Sequence, residues 1–304
     1  MILVVGEILF DVFPNYKRLG GAPFNFAYHL KNFGFDVRFI SRIGTDAAGN
    51  EILQKLEQYH FDLSDIQFDD VHPTGKVNVR LNENGVPQFD IIPDVAYDHI
   101  EFLSEIHSEM LCRAQLIYFG SLVQRSNAGY KNIQDMIGCK PSTTLGFYDI
   151  NLRPNCYNDA LIKKSLLNTD ILKLSDEELD SLKQLMSFDQ NHHSFIQYLI
   201  ETYSLAMVSL TKGEKGSELY THEGYFSTDT EEGIKVVDSV GAGDAYAAML
   251  AAGILKDWPP REALQRATMF AARICEIKGA IPDSSSFYEP FKPLFGNDCK
   301  NAIS

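Results

Sequence analysis

The stretch VVDSVGAGDAYAAMLAAGIL, residues Val236 to Leu255, is typical of a strand end, a glycine loop and an apolar helix that opens at Asp244. Gly241 and Gly243 permit backbone conformations and close approaches that a Cβ would obstruct. The N–H groups of Gly241, Ala242 and Gly243 can then point into one concavity at the positive end of the helix dipole. Such a concavity suits a phosphate or a developing anion.

A carboxylate at the mouth of this anion site indicates chemistry and not binding alone. We expect Asp244 to take a proton from a substrate hydroxyl while the loop stabilises charge on a transferring phosphoryl group. The alternative is a glycine turn in which Asp244 is only the N-cap of the helix. Asp238 and Ser239, just before the glycines, favour the catalytic interpretation.

Composition limits the functional classes. The chain has 304 residues, 45% hydrophobic and 22% charged, which is typical of a soluble globular protein with one large or two ordinary domains. The net charge of −14 argues against nucleic acid or an anionic membrane as partner. Five cysteines without paired spacing indicate neither a zinc site nor a disulfide framework, and a reducing cytoplasm fits best. The N-terminus is typical of a buried strand and not of a signal peptide, and no apolar run is long enough to cross a bilayer.

Strand and helix patterns alternate along the chain. Residues 2–5 are a continuous apolar run, the mark of a central parallel strand. Further strands are predicted in VRFIS, QLIYFGSL, TLGFYDIN, DILKLS and LAMVSLT, with helices at about 127–138, 158–167 and 176–186. The alternation predicts an α/β fold with a doubly wound, mostly parallel sheet flanked by helices.

Two segments depart from this alternation. Residues 74–92, TGKVNVRLNENGVPQFDII, alternate apolar and polar residues around Glu83-Asn84-Gly85 and predict a β-hairpin. From Phe287 onward, few periodic apolar residues remain, so we expect a loosely attached tail.

Polar residues follow the predicted strands, where ligands of open α/β sheets bind. Asp11 is placed to accept hydrogen bonds from a polyol, although its spacing equally fits a solvated loop acid. Gly20 and Gly21 let the backbone approach a ligand. Asn25 lies one turn into a helix with Pro23 at its first position, and its amide can bind a sugar or simply face solvent.

Asp149, Asn151 and Arg153 stand together at the end of another predicted strand. Arg153 can contact a transferring phosphate bidentately, or it can form a loop ion pair with Asp149. By contrast, we expect the pair His192-His193 to face solvent, because no carboxylate or cysteine lies at ligand spacing from it.

Two distant motifs carry a resemblance to a known family. DSVGAGD resembles the C-terminal signature D-[ST]-x-G-A-G-D of the ribokinase-like, or PfkB, sugar kinases. About two hundred residues earlier, LGGAPFNFAYHLKNFGFDVRFISRIGTDAAGNE resembles the family's other signature. The residues at the family's positions there are Gly20, Gly21, Asn25, Ala27, Gly34 and Gly44. The resemblance covers nearly the whole chain and implies one ribokinase-like kinase domain over 1–304, with a β lid from about 9–19 and 74–97.

The resemblance implies roles for many residues. Substrate-binding residues would be Asp11, Gly20, Gly21, Asn25, Asn151 and Asp244, and catalytic residues would be Asp244, Gly241, Ala242, Gly243 and Arg153. Glu178 would organise magnesium waters, whereas Ser175 replaces the family's usual Asn near the nucleotide phosphates. Nucleotide-binding residues would be Ser175, Thr211, Gly213, Gly216, Gly241 and Gly243.

Some of these assignments have alternatives. Thr211, Gly213 and Gly216 follow the family's T-x-G-x-x-G pattern, but the glycines alone favour a plain β-hairpin. Asp238 and Gly279 are candidates for a monovalent cation such as K⁺. The hairpin at 74–92 is either a lid over the active site or a dimer surface.

The resemblance implies an ATP-dependent, Mg²⁺-requiring sugar kinase. GGAPFNFA resembles fructokinases, so fructose is the first expectation, and ribose or 2-keto-3-deoxygluconate are alternatives. A catalytically idle sugar-binding regulator on the same fold is the rival from another class. We expect a cytoplasmic homodimer joined through the β lid.

Overall fold

A computed structural model describes residues 1–81, 87–230 and 233–296. The strands of these residues are β1 (Ile2–Val5), β2 (Leu9–Val12), β3 (Lys17–Gly20), β4 (Val37–Gly44), β5 (Ile66–Asp69), β6 (Lys76–Leu81), β7 (Pro87–Ile91), β8 (Leu116–Gly120), β9 (Leu145–Asp149), β10 (Ile171–Ser175), β11 (Met207–Thr211), β12 (Ser217–Thr221) and β13 (Gly224–Thr228). The α-helices are α1 (Ala22–Asn32), α2 (Ala47–Gln58), α3 (Ser104–Arg113), α4 (Asn127–Gly138), α5 (Asp159–Leu166), α6 (Asp176–Leu185), α7 (His192–Tyr203), α8 (Ala242–Leu255) and α9 (Pro260–Cys275).

The main sheet has the order β13-β12-β11-β10-β9-β8-β1-β4-β5. Pairing is parallel from β11 through to β5, and β12 and β13 add an antiparallel edge. Alternate side chains of β1 enter two separate cores: Ile2 and Val4 pack with α1, α2, α8 and α9, while Leu3 and Val5 pack with α3 to α7. Because helices cover both faces, the sheet is doubly wound and mostly parallel, as the sequence predicts.

A second, smaller sheet has the order β3-β2-β6-β7. Strands β6 and β7 pair antiparallel, as predicted for the hairpin. The predicted turn at Glu83-Asn84-Gly85 lies outside the described residues. Strand β2 follows β1 after three residues, 6–8, so the small sheet starts at the carboxyl end of a central strand of the large one.

Two expectations about the region around Asp244 were wrong: the helix does not open at Asp244, and no strand end precedes the glycine loop. The helix begins at Ala242, with Gly241 as its N-cap in the left-handed conformation at φ 80°. Asp244 is therefore the third helical residue and not the N-cap, which removes the simple capping alternative. Residues 234–240 before it form no strand, because their backbone runs beside the end of α9, where the Val237 N–H donates to the Cys275 carbonyl at 2.8 Å.

Two further boundaries differ from the prediction. Helix α1 begins at Ala22, so Pro23 is its second residue, a position that also needs no intrahelical N–H donor. The predicted loose tail is wrong up to residue 296. Tyr288, Phe291 and Phe295 are buried, and the Tyr288 hydroxyl lies 2.7 Å from Nδ1 of His29. Large aromatic rings without helical periodicity supply this packing, which a periodicity criterion misses.

We expect Gly241→Ala to lower the free energy of unfolding by more than about 2 kcal/mol, because it adds left-handed strain and steric overlap. A Cβ at residue 241 would lie 2.3 Å from Cβ of Ala280. Gly233→Ala is the matched control, since Gly233 has φ 82° and an added Cβ there would have no atom of the described residues within 4 Å apart from its chain neighbours, so the variant carries the strain alone. Urea unfolding of both variants measures the difference, and equal losses in the two would contradict the contact with Ala280.

Candidate active site

The N-terminus of α8 is an uncapped helix end that carries a carboxylate. No side chain of the described residues caps the first turn, and the Ala242 N–H donates to the Ser239 carbonyl at a long 3.3 Å. Asp244 projects from this turn and is partly exposed. Uncapped N–H groups at a helix N-terminus favour an anion, so the loop has the polarity predicted for a phosphate site.

Asn25 connects the two distant sequence motifs. Its Nδ2 donates to Oδ2 of Asp244 at 2.7 Å, across 219 residues of sequence. Gly21, the N-cap of α1 at φ 110°, makes the approach possible, because a Cβ there would lie 2.4 Å from the Glu7 carbonyl oxygen. Oδ1 of Asn25 is buried without a hydrogen-bond partner among the described residues, so the amide keeps one acceptor for a ligand.

The carboxyl group of Asp244 titrates near neutrality. Burial and the negative charge of Asp149 raise its pKa to about 7, against the hydrogen bond from Asn25 and the positive charges of Lys173 and Arg153. A carboxylate with a pKa near the working pH is suited to accept a proton from a hydroxyl.

A buried ion pair lies close to this carboxylate and was not predicted as part of the site. Lys173 Nζ is 3.0 and 3.2 Å from the two carboxylate oxygens of the fully buried Asp149, and the Tyr118 hydroxyl donates to the same carboxylate at 3.1 Å. Lys173 Nζ also lies 3.2 Å from where a Cβ of Gly243 would stand, so the ammonium is close to the glycine loop. The sequence signal was a lysine inside the apolar strand ILKLS, since a buried lysine needs a partner.

Arg153 does not form the alternative ion pair with Asp149, whose carboxylate is bonded to Lys173. Its exposed guanidinium instead favours the charged forms of three carboxylates, those of Glu7, Asp11 and Asp244. Arg153 is thus the cation that these three acids share, while Lys173 also acts on Asp244 and Arg18 on Asp11.

Asp11 and Gly20 form one wall of the pocket in the small sheet. A Cβ on Gly20 would lie 2.5 Å from Oδ2 of Asp11, so glycine leaves room for this carboxylate. Burial raises the pKa of Asp11 to about 6, against the positive charges of Arg153 and Arg18. The structure therefore brings Asp11, Gly20 and Arg153 to one place.

Glu7, which follows β1, is a further acid of the site and was not predicted as a site residue. It is only 3% exposed, and its Oε2 has no hydrogen-bond partner among the described residues. Burial raises its pKa to about 7, although its backbone hydrogen bond and Arg153 act in the opposite direction.

Glu178 and Ser175 form a capping box at the start of α6. Ser175 Oγ accepts from the Glu178 N–H at 3.2 Å, and Glu178 Oε2 accepts from the Ser175 N–H at 2.8 Å. Glu178 Oε1 also accepts from the Leu152 N–H at 2.8 Å. Glu178 therefore ties α6 to the loop that carries Arg153 and Asn151, the latter in a left-handed conformation at φ 40°. Its predicted role toward magnesium stays a prediction.

The predicted nucleotide residues lie at the same edge of the sheet. Ser175 and Thr211 are register partners on the adjacent strands β10 and β11. Gly213 and Gly216 lie in the connection between the antiparallel strands β11 and β12, so the segment is a β-hairpin in form. Gly216 is required at φ 83°, because a Cβ would lie 2.0 Å from the Thr228 carbonyl oxygen.

Asp238 contacts Gly279, the other residue considered for a monovalent cation. Its Oδ2 accepts from the Gly279 N–H at 3.0 Å and lies 3.4 Å from Arg18 Nη1. An N–H and a guanidinium already occupy this oxygen, so the contact connects β3 of the small sheet to the glycine loop. Cation binding there stays a prediction.

Comparison with known proteins identifies the family. The family described as pfkB family carbohydrate kinase matches residues 4–286. The chain belongs to the PfkB family of carbohydrate kinases. It is a phosphotransferase that acts on a hydroxyl group of a carbohydrate, as the sequence predicts.

Three PfkB-related proteins illustrate the similarity. Fructokinase-2 of Oryza sativa subsp. japonica is 25% identical over 307 residues, covering 93% of this chain and 90% of the relative. An ATP-dependent 6-phosphofructokinase of Thermoanaerobacterium thermosaccharolyticum is 25% identical over 301 residues, with 93% and 90% covered. One similar solved structure is the crystal structure of an uncharacterized sugar kinase, PH1459 from Pyrococcus horikoshii, in complex with ATP. Its TM-score is 0.78 and its sequence identity is 26%, and the match covers 92% of this chain and 94% of that chain.

Across the described ranges of this PfkB chain, every helix is too short or too polar to traverse a lipid bilayer.

We expect Glu7→Gln to stabilise the protein increasingly as pH rises from 5 to 8. Burial raises the pKa of Glu7 to about 7 from an ordinary value near 4.5. The native state therefore binds this proton more tightly than the unfolded chain, and wild-type stability falls across that interval, by up to about 3 kcal/mol. The neutral amide has no such loss.

Thermal unfolding at several pH values tests this, with the exposed Glu223→Gln as control. A difference between Glu7→Gln and wild type that is the same at pH 5 and pH 8 would show that the Glu7 pKa is not raised in the native protein.

Proposed function

We propose that this kinase phosphorylates a free neutral sugar, fructose first, with ATP as the phosphoryl donor. The single observation that carries the proposal is the cluster of three acids, Glu7, Asp11 and Asp244, each of which interacts electrostatically with the exposed Arg153. Carboxylates accept hydrogen bonds from polyol hydroxyls, whereas they repel a second phosphate. The two curated relatives described above, one named for a free sugar and one for a sugar phosphate, are equally similar and do not separate these substrates.

In the proposed mechanism Asp244 is the general base. Its carboxylate accepts the proton of the sugar hydroxyl, and the oxygen forms a bond to the γ-phosphorus while the bond from that phosphorus to the bridging oxygen of ATP breaks. ADP leaves with the bridging oxygen, and the proton stays on Asp244 until it passes to solvent. The N–H groups at the start of α8 and the Arg153 guanidinium stabilise the charge of the transferred group.

Magnesium fits this arrangement as a companion of the nucleotide. Mg²⁺ prefers oxygen ligands and is commonly held by one or two carboxylates together with substrate phosphates, whose charge it neutralises. Glu178 is the carboxylate we assign to its hydration shell. Each of its oxygens already accepts one or more backbone N–H groups, which leaves a lone pair for a water molecule.

We further propose that the small sheet is a lid over the sugar and also the face through which two copies associate. Arg18 in β3 reaches Asp238 at 3.4 Å, and Asp11 in β2 faces the pocket, which supports the lid. The side chain of Phe89 in β7 is 55% exposed, which supports a partner on the outer strand. A cytoplasmic location agrees with the free thiols of the four described cysteines, Cys112, Cys139, Cys156 and Cys275.

We expect Asp244→Asn to lower turnover by at least about a hundredfold with little effect on sugar affinity, because the amide removes the base and keeps the shape. The matched control is Asp257→Asn, the same change at an exposed residue just beyond the other end of α8. Steady-state kinetics by a coupled ADP-release assay measures both. Turnover of Asp244→Asn near that of wild type would remove the base assignment.

We expect ADP release with fructose to exceed that with ribose, 2-keto-3-deoxygluconate, adenosine and fructose 6-phosphate at equal concentrations. The cluster of three acids disfavours the two anionic substrates, and the fructokinase-like GGAPFNFA motif favours fructose among the neutral ones. Turnover only with fructose 6-phosphate or adenosine would overturn the free-sugar assignment. Sugar binding without any ADP release would favour the idle regulator.

A further inference from the structure

Two histidines lie where the chain enters and leaves the small sheet. His72 belongs to the segment between β5 and β6, and His99 ends a short 3₁₀ turn, Ala96–His99, that follows β7. Their rings stack with centroids 3.6 Å apart and planes 13° apart. Asp94, also after β7, completes the cluster. These residues take no part in the catalytic pocket described above.

The potential ligand atoms are grouped at the spacing of one coordination sphere. Nε2 of His99 lies 3.0 Å from Oδ1 of Asp94, and Nε2 of His72 lies 3.6 Å from the same oxygen. All three ligand atoms lie within 4.8 Å of one another. Ligands about 2.0–2.1 Å from a tetrahedral zinc ion are about 3.3 Å apart, which falls between the two measured contacts.

A second carboxylate fixes the orientation of His72. Nδ1 of His72 is 3.1 Å from both oxygens of Asp69, whose side chain is 2% exposed. Oδ1 of Asp69 also accepts hydrogen bonds from the N–H groups of Val71 and His72, at 2.9 and 2.8 Å. Because the carboxylate oxygens of Asp69 face Nδ1 of His72, the ring donates from Nδ1 and the lone pair of Nε2 is free.

That lone pair faces a carboxylate. With the proton on Nδ1, Nε2 of His72 and Oδ1 of Asp94 are both acceptors at 3.6 Å, an arrangement that a cation between them would stabilise. A carboxylate hydrogen-bonded to the far nitrogen of a ligating histidine is also the usual support of a protein metal site.

We propose that His72, Asp94 and His99 bind a divalent transition metal of the class that prefers imidazole, with Zn²⁺ as the first choice. The stacked rings turn toward each other so that their lone pairs converge, and the ion displaces the proton that His99 donates to Asp94. The Asp94 side chain is 77% exposed and can therefore move with the histidine rings toward the ion. A water molecule takes the fourth position of the tetrahedral coordination sphere.

Such an ion would join the segment that precedes β6 to the segment that follows β7, two of the connections between the small sheet and the rest of the fold. Metal occupancy would then restrict the movement of the small sheet relative to the main sheet. Metal binding by this cluster would not depend on which sugar is phosphorylated, and it can be measured without enzymatic turnover.

Zn²⁺ binding by calorimetry and Co²⁺ binding by visible absorbance test the proposal on the full chain. Excess Mg²⁺ occupies oxygen-only sites, and alkylation blocks the exposed thiols of Cys112 and Cys139. We expect one equivalent of Zn²⁺ with a dissociation constant of about 1 µM or tighter, and Co²⁺ d–d bands without a thiolate charge-transfer band.

We expect His99→Ala and His72→Ala each to weaken binding at least about tenfold. The control is His192→Ala, which removes an exposed histidine 2.7 Å from Asp180, a His–Asp pair outside the cluster. Thermal unfolding establishes that each variant is folded, and His99→Ala alone suffices if His72→Ala does not fold. Absence of stoichiometric binding, or binding that His99→Ala leaves unchanged, would overturn the proposal.

Discussion

The hydrogen bond from Asn25 to Asp244 is the contact on which the site depends. It joins the first turns of α1 and α8, two helices that pack in the same core although their motifs lie far apart in sequence. Both helices start at a glycine in a positive-φ conformation, and at both starts a Cβ would overlap neighbouring backbone atoms. The close approach of two helix N-termini is therefore possible only with glycine at Gly21 and Gly241. The bond holds one carboxylate beside N–H groups that no side chain caps within the described part of the chain.

The cost of this arrangement is the burial of several acids. Glu7, Asp11 and Asp149 lie with Asp244 in or near one pocket, and burial raises the pKa of each carboxyl. Lys173 offsets the charge of Asp149 directly, and Arg153 offsets the others from the exposed side. Removal of Lys173 would leave Asp149 buried and unpaired, which is a costly state in a protein interior. The same desolvation that destabilises the fold brings Asp244 to a pKa at which it can exchange a proton.

The sequence predicted the sheet because its strands are short apolar runs separated by periodic helices, as in Ile2–Val5. The family resemblance carried by the two distant motifs implied that Asn25 and Asp244 share one site, and the hydrogen bond between them agrees with this. It did not predict the buried tail residues Tyr288 and Phe295, because aromatic packing has no period, nor the start of α8 two residues before Asp244. Lys173 was missed because Asp149 becomes its neighbour only through parallel strand register, and the cluster around His72 was missed because His99 becomes its neighbour only through loop contacts.

The pH dependence of kcat/KM tests the account most directly, in wild type, in Asn25→Leu and in Asn32→Leu. Asn32 is the matched control, since its amide donates to the Tyr28 carbonyl at the far end of the same helix. The account predicts an acid limb in the wild type near pH 7, where the pKa of Asp244 lies. Loss of the hydrogen bond that lowers this pKa should move the limb to higher pH in Asn25→Leu only. An acid limb absent from the wild type, or unmoved by Asn25→Leu, would contradict it.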